Sequence, residues 1–345
     1  MVDQQRLLRG PGPLLLPDGN LADAGWSRHP VLEANLENAR TTLPLFQWAR
    51  LKRWDYYGIT TPTHFFSFTI ADIGYAGTIF AYAIDLSSRA YHEETLTIPL
   101  ARGVQLPRGS DAGTSLFENK KVSLRFDALP GSRRLRVLWR DFQGKDFRAE
   151  IDLSVPPEHE SMVIVIPIRG KKFYYNRKDN CMPASGWVEY GGSHYILNPN
   201  TCLGNLDWGR GVWEYRSFWV WASASGFLPD GRTLGLNMGF GFGDTSAATE
   251  NAVILNGRIH KLGQVDFDYD SQNFTGPWRM CSSDGRLDLT FQPFFERVAR
   301  TDVKVVTSEV HQMFGRYSGS FITDEGEKIT VKDLVGFAEE HHANW

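Results

Sequence analysis

Cysteine is scarce: three residues in 345, at Cys181, Cys202 and Cys281. An odd number, far apart in sequence, fits free thiols in a reducing compartment. No two Cys or His stand at metal-ligand spacing, and neither HxH nor HExxH occurs, so no local motif argues for a metal. Long hydrophobic runs are missing too. No stretch approaches the roughly 20 apolar residues of a membrane span. The opening MVDQQRLLRGPGPLLLPDG has its short apolar run broken by Pro and Gly, unlike a secretory or transit signal. Charge of one sign is lacking: 37 Lys+Arg against 40 Asp+Glu give a net charge of −3. That balance leaves no electrostatic footprint for nucleic acid or an anionic membrane. These absences predict a cytoplasmic protein with no nucleic-acid partner and no membrane span.

Familiar catalytic signatures are missing as well. There is no GxSxG elbow, and MGFGFGD lacks the GK[ST] and the helix of a phosphate loop. Helical periodicity is scarce. The best candidate is Leu32–Arg50, where Leu32, Leu36 and Ala39 keep helical spacing before Pro44 interrupts it.

What is present is aromatic and strand-like. Aromatic residues make up 13% of the chain, with 11 Trp and 22 Phe, and this favours sheet. From Leu51 onward short β-branched and aromatic runs alternate with Gly, Pro, Asp and Ser: HFFSFTIADIGYAGTIFAYAID, ETLTIPL, KVSLRF, RRLRVLWRDF, RAEIDLSV and MVIVIPI. KKFYYNRKDNCMPASGWVEY reads as a long polar connection. The texture resumes with WEYRSFWVWASA, TLGLNMGF, NAVILNGRIHKL, QVDFDYD, RLDLTFQPF, VKVVTSEVHQMFGRYSGSFI and EKITVKDLVGFAEEH. A strand about every ten residues predicts antiparallel sandwich or barrel units. VPPEHES (Val155–Ser161) is the expected seam, because Pro156 and Pro157 cannot join a ladder. The expected organisation is an N-terminal extension (1–50), a first β unit (51–157) and a second (158–345). KRWDYYGI and EYRSFWVW open the two halves with similar basic and aromatic strands, a faint internal echo.

The densest stretch is Asn200–Asp244, NTCLGNLDWGRGVWEYRSFWVWASASGFLPDGRTLGLNMGFGFGD. Charged groups and indoles are rarely mixed so closely in a core built only for packing, since each buried charge needs a partner. The stretch reads as one or two strands lining a cavity. A carboxylate beside indoles, as in Asp207-Trp208, has its charged form disfavoured and is suited to donating a proton. The expected catalytic groups are Asp207, Glu250 and the imidazole of His311. The expected substrate-binding groups are Trp54, Tyr56, Trp208, Arg210, Trp213, Arg216, Trp221, Asn251 and Glu296. Arg210 is expected to orient the acid. The plainer alternative makes Asp207–Arg210 and Glu296–Arg297 structural ion pairs. Glu339, Glu340 and His341 then read as structural, and His341-His342 as a surface terminus.

Taken in order, KRWDYYGI, IADIGYAG, LDWGRGVWEYRSFWVWASASG, GLNMGFGFGD, TENAVILNGRIHKL, LTFQPFFERVA, HQMFGRYSG and DLVGFAEEH resemble a bacterial family known only as domain of unknown function 2804. The resemblance runs from about Leu14 to Trp345 and brings no established activity. More distantly, the two-unit plan is similar to the calycin-like superfamily of carotenoid hydratases and tocopherol cyclases. That similarity implies two lipocalin-like antiparallel β units packed together with few short helices, and a pocket for largely apolar molecules. Three functions follow as expectations: cofactor-free acid–base chemistry (hydration, cyclisation or isomerisation), small-molecule binding without turnover, or carbohydrate hydrolysis on Trp platforms with paired carboxylates. No cofactor is expected. The expected partners are a small-molecule ligand and, as an option, a second copy of the chain.

Overall fold

The computed structural model describes residues 5–40, 47–303 and 306–344. Among the described residues the chain is all-β: two curled antiparallel sheets packed together and a small parallel pairing of Gly12–Pro13 with Leu32–Glu33, with one 3-10 turn at Leu36–Asn38 and one short helix, α1 (Gln47–Arg50). The expected helix Leu32–Arg50 is therefore not one element. Leu32 starts a two-residue strand, and Pro44, its expected break, lies outside the described residues.

The strands of the first half are β1 (Gly12–Pro13), β2 (Gly25–Ser27), β3 (Leu32–Glu33), β4 (Leu51–Thr60), β5 (His64–Asp72), β6 (Ala76–Asp85), β7 (Tyr91–Pro99), β8 (Gly113–Glu118), β9 (Val122–Leu129), β10 (Ser132–Phe142), β11 (Lys145–Ser154) and β12 (Met162–Ile168). There follow β13 (Lys172–Tyr190), β14 (Ser193–Leu197), β15 (Leu203–Val212), β16 (Arg216–Phe227), β17 (Thr233–Phe240), β18 (Ala252–Leu255), β19 (Arg258–Lys261) and β20 (Val265–Asp268). The last are β21 (Trp278–Ser282), β22 (Leu287–Val303), β23 (Val306–Ile322) and β24 (Lys328–Asn344).

The first sheet runs β7-β6-β5-β4-β15-β13-β11-β10-β9-β8, with β12 and β14 also on β13 and β2 on β12. The second runs β19-β18-β17-β16-β24-β23-β22-β21-β20. Strands on both sides of residue 157 thus belong to one sheet, and the change of sheet comes between Val212 and Arg216. In the N-terminal segment β2 pairs with β12, and Leu14 and Leu15 are buried in the first core.

Each sheet curls around its own apolar core. Inward residues alternate along β9 (Val122, Leu124, Phe126) and β10 (Leu135, Val137, Trp139) in the first. Leu234, Leu236, Trp278, Leu289, Phe291 and Met313 fill the second. Where the sheets meet back to back, strands lose that alternation because both faces are covered. All nine residues of β5 and all ten of β15 are buried. On β5, Phe66, Phe68 and Ile70 face the first core, while Phe65 packs on Phe314 and Phe337 of the second sheet.

KKFYYNRKDNCMPASGWVEY, read as a connection, is instead the 19-residue strand β13. Its charges mislead because they are buried and paired. Arg177 Nε donates to Asp179 Oδ1 at 3.1 Å, and Arg133 stands 3.5 Å from the same carboxylate. A bulge after Asp179, with Cys181 at φ 61°, bends β13 toward the second sheet. There Asn180 Nδ2 donates to Ser223 Oγ and the Ala224 carbonyl, both at 3.0 Å, and Cys181 N donates to Ser225 Oγ at 3.0 Å. The bulge pins the two sheets together.

Candidate functional site

The pleat decides which side chains meet between the sheets, because residues two apart share a face. On the first sheet this face presents Trp54 and Tyr56 of β4, Tyr174, Asn176 and Lys178 of β13, and Asp207 of β15. On the second it presents Trp219 and Trp221 of β16, Asn237 of β17, Gln312 of β23, and Phe337, Glu339 and His341 of β24. The register sets Lys178 opposite Asp207, Trp221 opposite Glu339, and Glu339 opposite Gln312. Gly209, two residues after Asp207, leaves the space that the Trp54 indole fills; a Cβ there would run into the ring.

Lys178 is the centre of the arrangement. Its side chain is 4% exposed, so its charge needs counter-charges at hand. Its Nζ lies 3.1 Å from Asp207 Oδ2, 3.9 Å from Glu250 Oε2, and 3.7 Å from the centroid of the Trp221 ring. Asn176 Nδ2 donates to Asp207 Oδ1 at 2.6 Å. Asn237 Nδ2 donates to Glu250 Oε2 at 3.1 Å, and Trp221 Nε1 donates to Asn237 Oδ1 at 2.9 Å. Asp207, on β15 of the first sheet, and Glu250, in the segment leading into β18 of the second, are joined through one ammonium group.

Glu339 stands apart from that ion cluster. It is buried, and among the described residues its bonding partners are both neutral: Trp219 Nε1 at 3.2 Å and Gln312 Nε2 at 2.9 Å. Burial pushes its carboxyl up to about 7, against the lowering pull of the Trp219 bond and of the Arg297 and Lys178 charges; the charge of Asp207 adds a smaller push upward. Gln312 continues a chain away from the acid. Tyr82 OH donates to Gln312 Oε1 at 3.1 Å, and the Tyr56 and Tyr82 hydroxyls are 3.0 Å apart. Behind Tyr82, Arg297 makes a two-pronged pair with Glu93 at 2.7 and 2.9 Å. Burial likewise holds the Tyr174 phenol well above its usual range, with Glu250, Asp207 and Glu339 all acting in the same direction.

Aromatic rings wall the cluster on one side. Trp213 meets Trp54 edge-on at 5.2 Å, Trp219 at 5.5 Å and Phe242 at 4.7 Å, while Trp54 and Tyr174 stack at 6.1 Å. His341, expected at a surface terminus, is buried against Trp219 at 3.9 Å, and its Nε2 is 2.9 Å from Ser308 Oγ. Burial pushes its imidazole down to about 3. His342, on the other face of β24, pairs with Glu340 at 2.8 Å.

Of the residues singled out in the sequence, Asp207, Glu250, Trp54, Tyr56, Trp213 and Trp221 gather here. Trp208 and Arg210 do not. Arg210 lies three residues after Asp207, an odd offset that turns it into the first core. There Arg210 pairs with Asp55 at 3.2 Å and lies over Trp208 at 4.2 Å, so the expected Asp207–Arg210 pair does not form. Asn251 is fully buried and ties strands together, accepting from Gly239 N at 2.7 Å and donating to the Gly263 carbonyl at 3.1 Å. His311 and Glu296 form a separate pair at 2.7 Å, because Gln312 and Arg297, their chain neighbours, take the inter-sheet face. Nor does Glu296 pair with Arg297, whose partner is Glu93. Arg216 is exposed at the start of β16. Lys178, Glu339, Gln312, Asn176 and Asn237 were not among the expected site residues.

Among the described residues no group of three or more His, Cys, Asp or Glu is arranged to hold a metal ion. Among the described residues no helix is long and apolar enough to cross a membrane. Two surface depressions of about 340 and 370 Å³ lie elsewhere, one beside Arg6, Asp23 and Lys172, the other beside Tyr269 and Arg279.

The fold and this cluster define an all-β protein with a charged, aromatic-walled junction between two curled sheets. By sequence the chain belongs to the family described as Domain of unknown function (DUF2804), whose model matches residues 5–345. No curated protein matches it. Among solved structures it is similar to a Nitrosomonas europaea protein designated AttH, with 14% identity, 84% of this chain and 92% of that chain covered, and a TM-score of 0.48. It is also similar to kievitone hydratase from Nectria haematococca, with 12% identity, 85% and 88% covered, and a TM-score of 0.47. Both likenesses are distant.

Proposed function

We propose that the inter-sheet cluster is a small-molecule site for cofactor-free acid–base chemistry, of the hydration, cyclisation or isomerisation type, on a largely apolar ligand. The observation that carries this reading is Glu339. A buried carboxyl bonded by neutral donors and poised at about 7 can give a proton near neutral pH and take one back. In a hydration, Glu339 delivers its proton to an alkene carbon and water adds to the neighbouring carbon. The proton that water loses goes to a nearby carboxylate, Asp207 or Glu250, and then returns to Glu339. The indoles face the positive charge that develops on carbon. Lys178 fixes Asp207 and Glu250 in place, so the geometry is set before the ligand arrives.

Binding without turnover is the second reading. What favours it is that Asp207 and Glu250 are already engaged with Lys178. The two separate in one experiment. Native mass spectrometry of the purified protein identifies the small molecule it carries, and that molecule is then assayed with Glu339→Gln. The catalytic reading expects turnover to fall by roughly 10²-fold or more with ligand affinity kept. Unchanged product formation would remove Glu339 from the chemistry, and a ligand that is never converted would leave the binding reading.

A further inference from the structure

The segment between β17 and β18 turns a single ring into the aromatic wall. Phe240 is 49% exposed, and Gly241, Gly243 and Asp244 are exposed as well, yet Phe242 between them points inward. Its ring meets Trp213 at 4.7 Å, Tyr174 at 5.2 Å and Trp219 at 5.7 Å, all nearly edge to face. The glycines on either side lie at φ +87° and +69°, in the left-handed region that glycine enters freely. The segment leaves the sheet at Phe240 and is tied again where Asp244 N donates to the Pro167 carbonyl at 2.8 Å. The ring belongs to no ladder and is flanked by two glycines in that left-handed region, so it can leave its place without breaking the sheet.

That place adjoins the charged cluster. Trp219, one wall of it, bonds Glu339, and the phenol of Tyr174, another wall, feels Asp207, Glu250 and Glu339 together. We infer that Phe242 occupies the subsite for a planar apolar ring of the ligand. Trp54, Tyr174, Trp213 and Trp219 form the cradle, and Phe242 swings out on its glycine neighbours when the ligand enters. The inference rests on the reading that ligands bind between the sheets. It adds what they carry: a flat ring, aromatic or conjugated, of about the size of one or two fused six-membered rings.

The test is calorimetric titration with 2-naphthol, a neutral flat probe, on the full chain. Removing the resident ring frees the binding-competent state, so Phe242→Ala is expected to bind the probe about tenfold more tightly than the unaltered protein. Adding Trp219→Ala is expected to return the affinity to its starting level. Should Phe242→Ala fail to fold, Phe242→Leu is expected to give a gain of about threefold. An affinity within about twofold of the starting value in the folded variant, or a gain that survives Trp219→Ala, overturns the inference. The same titration in a Glu339→Gln background keeps the two ideas apart: a gain there supports the cradle even if the acid proves idle, and loss of the gain there overturns it.

Discussion

Trp219 and Glu339 meet on the outer face of the second sheet, the indole Nε1 donating to the carboxyl Oε1 at 3.2 Å. The bond comes from a neutral donor, so it orients the acid without supplying a counter-charge. Burial then dominates the acid's titration.

The first prediction concerns stability against pH. Glu339 holds its proton up to about 7 in the folded chain, against 4.5 when unfolded. Below 4.5 both states are protonated and nothing is lost. Between 4.5 and 7 the unfolded chain releases the proton first, so this group makes the protein less stable as pH rises. The full effect is on the order of 3 kcal/mol. Urea unfolding of Glu339→Gln across this window is expected to lack that decline. A decline of equal size in the variant would show that another group causes it.

Lys178 gives the second prediction. Lys178→Met leaves the buried Asp207 and the partly buried Glu250 without their shared cation, and is expected to cost about 3–5 kcal/mol in chemical unfolding. Adding Asp207→Asn removes one of the stranded charges, so the double variant is expected to be more stable than Lys178→Met alone. Strict additivity of the two changes would mean that the pair is not coupled.

Much of the fold was legible because edge and outer strands alternate, as RRLRVLWRDF and KVSLRF do. Half of the site was legible too, because LDWGRGVW packs charge among indoles. The rest was hidden for definite reasons. Arg210 was assigned to Asp207 by closeness in sequence, yet three residues along a strand put them on opposite faces. Lys178 lay in a run of charges that looks solvated until its partners on other strands are known. Glu339 and His341 sit near the chain end beside further charges, a texture typical of surface. The spacing of two along Phe337, Glu339 and His341, all on one face of β24, was the available signal. His311 drew attention as a strand imidazole, but the face belongs to Gln312.

His341 supplies the third prediction. Its imidazole is held down to about 3 by burial, so acid destabilises the fold as the unfolded chain takes up a proton from about 6.5 downward. His341→Gln, which cannot charge, is expected to flatten the acid limb of the stability profile between 6.5 and 3. An acid limb of unchanged steepness would assign it elsewhere.

Arg210 provides a contrast within the first core. Arg210→Met takes the paired guanidinium from Asp55 and leaves its bond from Ser115 Oγ at 2.5 Å. The expected loss is about 3–5 kcal/mol by urea unfolding. Because residue 210 faces away from the cluster, the pH dependence attributed to Glu339 is expected to persist in this variant. Its disappearance would mean that the two faces of β15 are not independent.

The central claim, a carboxyl between the sheets that titrates near neutral pH, is tested most directly by following glutamate carboxyl carbons by NMR as pH is varied. The protein would carry isotope-labelled glutamate, and Glu339→Gln would make the assignment. The account predicts one glutamate titrating near 7 that vanishes in the variant. If every glutamate titrates below about 5, as ordinary carboxyls do, Glu339 is ionised at neutral pH and the proposed proton donor is lost.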